Sequence, residues 1–256
     1  MAHLTISYDS KEVKKMVTVN VFLPEKPKAG PEAGPPEGKF KTLWLFHGLN
    51  GNRNTWIRNT SIERYATERG IAVVMPEVDR SFYADLPCGW NYFSFVAKEL
   101  PRVLRAYFSG MSEKREDNFI IGQSMGGYGA LKCALTFPEN YFGAASLSGV
   151  TDITRKGRPY NLDEWRTLFG FDLKSAEELA GSENDLFSLA EKQKGEKLPK
   201  LFLWCGTEDP LLPSNRDFHE HLNTLGISHH YYESEGDHTW KWWDKEVQTA
   251  LSYFLD

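Results

Sequence analysis

FIIGQSMGG, residues 119–127, is an apolar run that passes directly into a G-x-S-x-G motif. Such a motif is typical of a nucleophile elbow, a sharp turn from a strand into a helix that presents a serine hydroxyl at its tip. The residues two before and two after the serine contact each other across this turn, and Gly122 and Gly126 have no side chain to block the contact. We therefore expect Ser124 to be a nucleophile, with the amide of Met125 free to donate at the start of the following helix.

The motif is short, so its surroundings must distinguish an elbow from an ordinary glycine-rich turn. The apolar run before it has the composition of a buried strand. Residues 128–137 follow with small residues and with leucines spaced four apart, and Pro138 comes directly after them. This pattern predicts a helix that ends before the proline. The strand, turn and helix that the motif requires are thus all predicted.

The composition narrows the class of protein. The chain has 256 residues, which is consistent with one α/β domain over residues 1–256. Its net charge is -5, and no basic stripe suggests contact with nucleic acid. The N-terminal residues lack the pattern of a secretion signal, and no run approaches the ~20 apolar residues of a membrane span. We expect a cytoplasmic protein that binds neither nucleic acid nor a membrane, and the sequence leaves a homo-oligomer open.

Strand and helix patterns alternate along most of the chain. The predicted strands are 4–8, 13–23, 42–46, 71–75, 118–121, 144–147, 200–205 and 228–233, and the predicted helices besides the elbow helix are 62–69, 92–108, 214–225 and 241–255. This alternation predicts an α/β fold with a mostly parallel central sheet and helices on both faces. A proline-rich surface loop is expected at residues 24–38, and a small helical insertion around residues 150–197.

A serine nucleophile needs a base, and the base needs a carboxylate to orient it. His238 follows the last predicted strand, and Asp209 follows the strand before it, so both are expected at the same edge of the sheet as Ser124. Glu208 and Asp237 are the competing carboxylates. We favour Asp209. Glu208 would point in the opposite direction along an extended turn, and Asp237, which is adjacent to His238, is poorly placed to reach Nδ1 of that ring.

Four other histidines lie close together in the sequence. They fall on the preceding predicted helix and strand: His219, His221, His229 and His230. A metal site built from them is conceivable, but no acidic or cysteine ligand pattern supports it. We expect no metal.

The turn after an early predicted strand is a candidate for the second half of an oxyanion hole. Its sequence, HGLNGN over residues 47–52, resembles the glycine-containing loops that supply an oxyanion donor in lipases and esterases. Gly48 would let the backbone approach the substrate, and the amide of Leu49 would pair with that of Met125. His47 is expected to brace the turn and not to act as a second base.

Aromatic residues are frequent near the predicted site. Among them, Trp90 and Trp240 are the candidates for the walls of a small acyl pocket. Trp243 is expected to pack the last helix instead.

Several of these segments together resemble one known group of proteins. They are HGLNGN at residues 47–52, the stretch Tyr83–Tyr92, GQSMGGYG at residues 122–129 and the segment GDHTW that ends at Trp240. The chain is similar in these segments to bacterial tributyrin esterases of the esterase D and S-formylglutathione hydrolase group. Gln123, where many relatives carry His or Leu, and the proline-rich loop depart from the pattern.

The resemblance implies an α/β-hydrolase fold, carboxylesterase activity on short acyl chains and no cofactor. Mapped onto this sequence, it implies a triad of Ser124, Asp209 and His238 with oxyanion amides at Leu49 and Met125. Four functions stay open at this point: hydrolysis of small-molecule esters, hydrolysis of an S-formylglutathione-type thioester, acyl transfer to an alcohol, and an inactive hydrolase scaffold that only binds.

Overall fold

A single eight-stranded sheet organises the structure, a computed structural model that describes residues 1–25, 34, 36–154 and 161–256. Its strands are β1 (Ala2–Ser10), β2 (Lys15–Leu23), β3 (Thr42–Phe46), β4 (Ala72–Pro76), β5 (Asn118–Gln123), β6 (Gly143–Leu147), β7 (Lys200–Gly206) and β8 (His229–Ser234). They lie in the order β1-β2-β4-β3-β5-β6-β7-β8. The pairs β1–β2 and β2–β4 are antiparallel, and every other pair is parallel. The prediction of a mostly parallel sheet is confirmed.

Helices cover both faces of this sheet. They are α1 (Thr55–Asn59), α2 (Ile62–Arg69), α3 (Tyr92–Ser94), α4 (Leu100–Tyr107), α5 (Met125–Thr136), α6 (Leu162–Phe169), α7 (Leu186–Lys192), α8 (Leu212–Leu225) and α9 (Trp240–Leu255). Strand β3 shows the two faces, because Trp44 and Phe46 belong to the core under α4, α5 and α8, while Leu43 and Leu45 belong to the core under α1, α2 and α9. Successive side chains of a strand point to opposite faces, so a strand buried on both sides is apolar throughout.

Some predicted boundaries differ from the observed ones. Strand β2 begins at Lys15 and not at Val13, because Lys14 has a positive φ of 58° in the turn that reverses the chain after β1. The helix predicted over residues 92–108 contains a π-helical turn at Phe95–Glu99 between α3 and α4. Pro101 follows this turn. Since proline has no N–H and its ring clashes with the carbonyl four residues earlier, a wider turn at this place relieves the clash.

Two predicted segments lie partly outside the described residues. Residues 26–33 and 35 of the loop expected at 24–38 lie outside the described residues. So do residues 155–160 of the insertion expected around 150–197. The described part of the insertion contains α6, α7 and a 3₁₀ turn at Ala176–Leu179. No helix in the described residues is long and apolar enough to cross a membrane. The division into domains stays a prediction.

Helix α5, which follows the Gly122–Gly126 motif, is buried along nearly its whole length, including Lys132. The Lys132 ammonium donates hydrogen bonds to the carbonyl oxygen of Tyr83 at 3.0 Å and to Oδ1 of Asn184 at 2.6 Å, and it lies 4.2 Å from the centre of the Phe93 ring. Burial lowers the pKa of Lys132 to about 8, because a buried ammonium loses its hydration. The lysine thus links α5 to the loop that contains Tyr83 while its charge lies in the core.

We predict a pH-dependent stability difference between the wild type and Lys132→Met. The folded pKa is about 8 and the unfolded pKa is about 10.4, so the unfolded chain binds more protons between these values and wild-type stability rises with pH there. From pH 7.5 to pH 10, urea unfolding should show the wild type gaining about 2 kcal/mol relative to Lys132→Met. Parallel curves for the two proteins would contradict a buried, charged Lys132.

Candidate active site

The elbow has the backbone geometry that its sequence predicts. Ser124 lies between β5 and α5 with φ 55° and ψ -122°, a region that residues other than glycine rarely adopt. A Cβ added to Gly122 would overlap the carbonyl oxygen of Gly126, and one added to Gly126 would overlap the carbonyl oxygen of Phe46. Both positions therefore need glycine, and the strained serine is held in place by the close approach of three backbone segments.

The main chain of Ser124 is hydrogen-bonded on both sides. Its N–H donates to the carbonyl oxygen of Leu147 at 3.0 Å, at the end of β6. Its own carbonyl oxygen accepts from the amides of Tyr128 and Val150, each at 3.2 Å. These bonds fix the turn while the side chain stays partly accessible.

Three side chains that are far apart in sequence meet at this turn. The Oγ of Ser124 lies 3.0 Å from Nε2 of His238, and Nδ1 of His238 lies 2.8 Å from Oδ2 of Asp209. The other oxygen of Asp209 accepts the amide of Leu211 at 2.8 Å. With a carboxylate at Nδ1, the neutral imidazole carries its proton there, which leaves Nε2 free to accept the serine proton.

The two loops that hold the acid and the histidine contact each other through glycine. A Cβ added to Gly206, at the end of β7, would overlap the carbonyl oxygen of Gly236 in the loop after β8. That same oxygen accepts the amide of Glu208 at 2.9 Å. The side chain of Asp209 is fully buried beneath this contact, whereas 30% of the His238 side chain is exposed.

The competing carboxylates do not face the histidine ring. Glu208 is exposed, and Asp237 accepts a hydrogen bond from the hydroxyl of Thr239 at 2.6 Å. Of the three carboxylates weighed from the sequence, the structure brings Asp209 to His238.

The turn that contains Leu49 lies beside the elbow and is braced by His47. Nδ1 of His47 lies 2.8 Å from the carbonyl oxygen of Gly48, and Nε2 accepts the amide of Val78 at 3.1 Å. These partners place the ring proton on Nδ1, and burial lowers the pKa of His47, which keeps the ring neutral. The hydroxyl of Tyr83 donates to the His47 carbonyl oxygen at 2.9 Å. His47 thus supports the turn, as the sequence indicated.

The amides of Leu49 and Met125 are the expected oxyanion donors. Met125 is the first residue of α5, so its N–H has no acceptor within the helix. Leu49 follows Gly48, where an added Cβ would lie 2.6 Å from Nε2 of Gln123. The buried amide group of Gln123 therefore packs directly against the turn, and its Oε1 has no hydrogen-bond partner in the described part of the chain.

The outer side of the same turn is held by Arg80. Its guanidinium donates to Oδ1 of Asn50 at 2.8 Å and to one carboxylate oxygen of Glu164 in α6 at 2.7 and 2.9 Å. The insertion is thus joined to the residue next to Leu49. Because Arg80 is half exposed, we expect a modest contribution to stability from this ion pair.

The two tryptophans expected to wall an acyl pocket lie in different surroundings. Trp90 is 47% exposed, with the Lys15 ammonium 5.9 Å from its ring at the β1–β2 end of the sheet. Trp240 packs edge to face against Trp56 and Trp243. Neither contact set includes Ser124 within the described residues, and the assignment of both to an acyl pocket stays a prediction.

Trp243 is the residue near the site that the sequence interpretation missed. It is buried in the core under α9, as expected, but its ring also lies 4.8 Å from that of His238, at an interplanar angle of 90°. In the sequence, Trp243 follows His238 by five residues and lies in the helix predicted over residues 241–255. That spacing did not reveal the contact, because the direction of the His238 side chain depends on Asp209.

The cluster of other histidines makes contacts of its own away from Ser124. Nδ1 of His219 lies 2.7 Å from Nε2 of His229, and the ring of His219 stacks on Tyr231. His221 contacts the carbonyl oxygen of Phe187 at 3.1 Å. Within the described ranges, no group of three or more His, Cys, Asp or Glu side chains is arranged to hold a metal ion.

Comparison with known proteins identifies the family of this chain. A family model described as "Putative esterase" matches residues 10–254. An acetyl esterase from Caldicellulosiruptor saccharolyticus is 36% identical over 267 residues, which cover 99% of this chain and 98% of that protein. The chain belongs to this esterase family. It is a serine hydrolase with the predicted α/β-hydrolase fold.

Two solved structures from Staphylococcus aureus resemble the esterase over its whole length. The fluorophosphonate-binding serine hydrolase F, with substrate bound, has a TM-score of 0.90 and 32% identity, covering 100% of this chain and 98% of that one. The S-formylglutathione hydrolase apoenzyme has a TM-score of 0.85 and 30% identity, covering 100% and 99%. The predicted resemblance to esterases and S-formylglutathione hydrolases is thereby confirmed.

We predict that Gly206→Ala destabilises the esterase and slows it. The new Cβ would overlap backbone at Gly236, which cannot move without shifting the loops of Asp209 and His238. Urea unfolding should show a loss of about 1–3 kcal/mol, together with a lower kcat. Gly170→Ala is the control, since no atom of the described residues lies within 4 Å of its added Cβ, and it should change stability by less than ~0.5 kcal/mol. Equal stability of the two variants would contradict the contact.

Proposed function

We propose that the esterase hydrolyses short-chain acyl esters of small molecules through an acyl-enzyme intermediate on Ser124. The observation that carries the proposal is the continuous hydrogen-bonded arrangement of Ser124, His238 and Asp209, with distances of 3.0 and 2.8 Å. A nucleophile, a base and an orienting carboxylate in this geometry are the parts that acyl transfer requires. Their chain order, Ser124, Asp209, His238, is that of α/β-hydrolases.

In the acylation step, Oγ of Ser124 attacks the ester carbonyl carbon while Nε2 of His238 takes the hydroxyl proton. The imidazolium that forms is stabilised by the buried carboxylate of Asp209 at Nδ1. When the tetrahedral intermediate collapses, the C–O bond to the alcohol breaks and His238 returns the proton to the leaving oxygen. In deacylation, water takes the place of the alcohol, and the same proton transfers release the acid and restore Ser124.

The negative charge on the tetrahedral intermediate needs donors that are already in place. We assign this role to the amides of Met125 and Leu49, the first at the N-terminus of α5 and the second in the turn braced by His47. Because the turn and the elbow are fixed by hydrogen bonds and close packing, little reorganisation is needed when the charge develops.

Two relatives support different classes of substrate for this esterase. The acetyl esterase, at 36% identity, supports a small acyl group on an oxygen ester. The S-formylglutathione hydrolase, at 30% identity over the full length, supports a thioester as the second candidate. Tributyrin as a substrate, the cytoplasmic location and a homo-oligomer stay predictions.

We predict that kcat/KM for an acetyl p-nitrophenyl ester exceeds that for the octanoyl ester by about tenfold or more, and exceeds that for S-formylglutathione. Steady-state assays of the wild type, with Ser124→Ala as the blank, measure all three. A higher kcat/KM for S-formylglutathione would favour the thioesterase.

The same samples separate the remaining functions. If an alcohol is added and the acyl group is recovered as the ester of that alcohol and not as the free acid, the protein is an acyltransferase. An inactive binding scaffold would leave Ser124 unlabelled by a fluorophosphonate probe in the folded protein.

We predict that Asp209→Asn lowers kcat by about 10³–10⁴-fold, because an amide at this place no longer favours the proton on Nδ1 of His238. Glu208→Gln and Asp237→Asn are matched controls that remove a charge from the neighbouring positions, and each should change kcat little. A larger loss in either control than in Asp209→Asn would reassign the orienting carboxylate.

A further inference from the structure

Three tryptophan rings form a continuous row behind the site. Trp56 of α1 and Trp240 of α9 pack edge to face with ring centres 5.0 Å apart and an interplanar angle of 87°. Trp240 and Trp243 do the same at 5.1 Å and 85°. We call Trp56, Trp240 and Trp243 the tryptophan row. Edge-to-face pairs of this kind have a preferred geometry, so each ring restricts the orientation of the next.

The two ends of the tryptophan row contact opposite parts of the catalytic apparatus. At one end, the indole N–H of Trp56 donates to the carbonyl oxygen of Phe46 at 2.9 Å, directly before the turn that contains Leu49. At the other end, Trp243 lies edge to face against the ring of His238, with 4.8 Å between ring centres. The row therefore connects the oxyanion turn with the general base.

Packing alone places Trp243. Only 5% of the residue is exposed, and among the residues that the structure describes its buried indole N–H has no hydrogen-bond partner. A hydrogen-bonded indole would be oriented by its acceptor, whereas this one is oriented by the ring of Trp240 and by the surrounding apolar core. Trp243→Phe would consequently remove ring area without removing a hydrogen bond.

We propose that the tryptophan row positions His238 relative to the oxyanion turn, with Trp243 as the positioning residue that contacts the imidazole. Apart from this contact, the imidazole is held by its hydrogen bonds to Asp209 and Ser124, in a loop whose neighbouring Thr239 is exposed. Displacement of a catalytic group by about 1 Å can cost 10²-fold in rate, so a rigid ring against the imidazole has a direct effect on turnover. The inference depends on the proposed roles of Ser124 and His238.

The test compares Trp243 with Trp44, a buried tryptophan on the opposite face of the sheet. Trp44 is 2% exposed and donates its N–H to Oδ1 of Asn118 at 3.1 Å. Each tryptophan is changed to Leu and to Phe. Measurements are kcat, KM, the rate of labelling of Ser124 by a fluorophosphonate, and the thermal midpoint.

We expect Trp243→Leu to lower kcat and the labelling rate together by about 10–100-fold, with KM nearly unchanged, because the buried ring of Trp243 contacts the imidazole of His238. Trp243→Phe keeps an aromatic ring against His238 and should recover most of this loss, to within about threefold of the wild type. Both Trp44 variants should keep kcat within about twofold, although they lose a hydrogen bond and some stability.

A second measurement tests the connection along the row. Trp56→Phe removes the hydrogen bond to Phe46 at the far end. If the row acts as a unit, kcat of the double variant Trp56→Phe, Trp243→Leu should fall by less than the product of the two single losses. Independent, multiplicative losses would contradict a connected row.

The inference is wrong if Trp243→Leu and Trp44→Leu lower kcat by the same factor, or if the loss in Trp243→Leu lies wholly in KM, which would place Trp243 in the acyl pocket. If a Leu variant does not fold, Trp243→Met is compared with Trp44→Met, since methionine also places no ring against its neighbours and fills more of the vacated space. Equal kcat values of the two Met variants overturn the inference. Ser124→Ala separates this failure from that of the proposed function. Full activity in Ser124→Ala would refute both proposals. An inactive Ser124→Ala together with equal kcat in Trp243→Leu and Trp44→Leu would refute only the positioning role of the tryptophan row.

Discussion

The site depends on one steric constraint, the contact of backbone with backbone at the elbow. Gly122 meets the carbonyl of Gly126, and Gly126 meets the carbonyl of Phe46, without room for a Cβ at either glycine. This contact brings the end of β5, the start of α5 and the end of β3 together. As a result, the serine hydroxyl, the first amide of a helix and the turn after β3 meet at one place, and the strained φ of Ser124 is maintained by the packing around it.

The position of β5 in the sheet explains why distant residues meet there. It lies between β3 and β6, and β7 and β8 follow on the side of β6, all parallel. Loops that leave the carboxyl ends of neighbouring parallel strands share one edge of the sheet, which is where ligands bind in open α/β folds. The loops of Asp209 and His238 extend from β7 and β8 across this edge, and their contact at Gly206 and Gly236 sets how the two side chains face each other.

Burial gives two histidines near the site different chemistry. His47 is enclosed, its pKa is lowered, and both ring nitrogens are occupied by backbone partners, so it acts as a neutral brace. His238 has one nitrogen on a buried carboxylate and the other on the serine hydroxyl, with part of its ring exposed. The supports come from both faces of the sheet. On one face, Lys132 donates to the carbonyl oxygen of Tyr83, and the Tyr83 hydroxyl donates to the carbonyl oxygen of His47. The tryptophan row lies on the other face.

Local patterns in the sequence determined much of this protein. The G-x-S-x-G motif, the alternation of strands and helices and the order of the three candidate residues depend on neighbouring residues in the chain, and they predicted the sheet, the elbow and the family. The tertiary structure decided which carboxylate faces His238, because Asp209, Glu208 and Asp237 all carry a carboxylate and only the positions of their side chains distinguish them. It also placed Trp90 at the β1–β2 end of the sheet and Trp243 against the histidine ring. Contacts of this kind join residues from separate elements, and their geometry exists only once the sheet has brought those elements together.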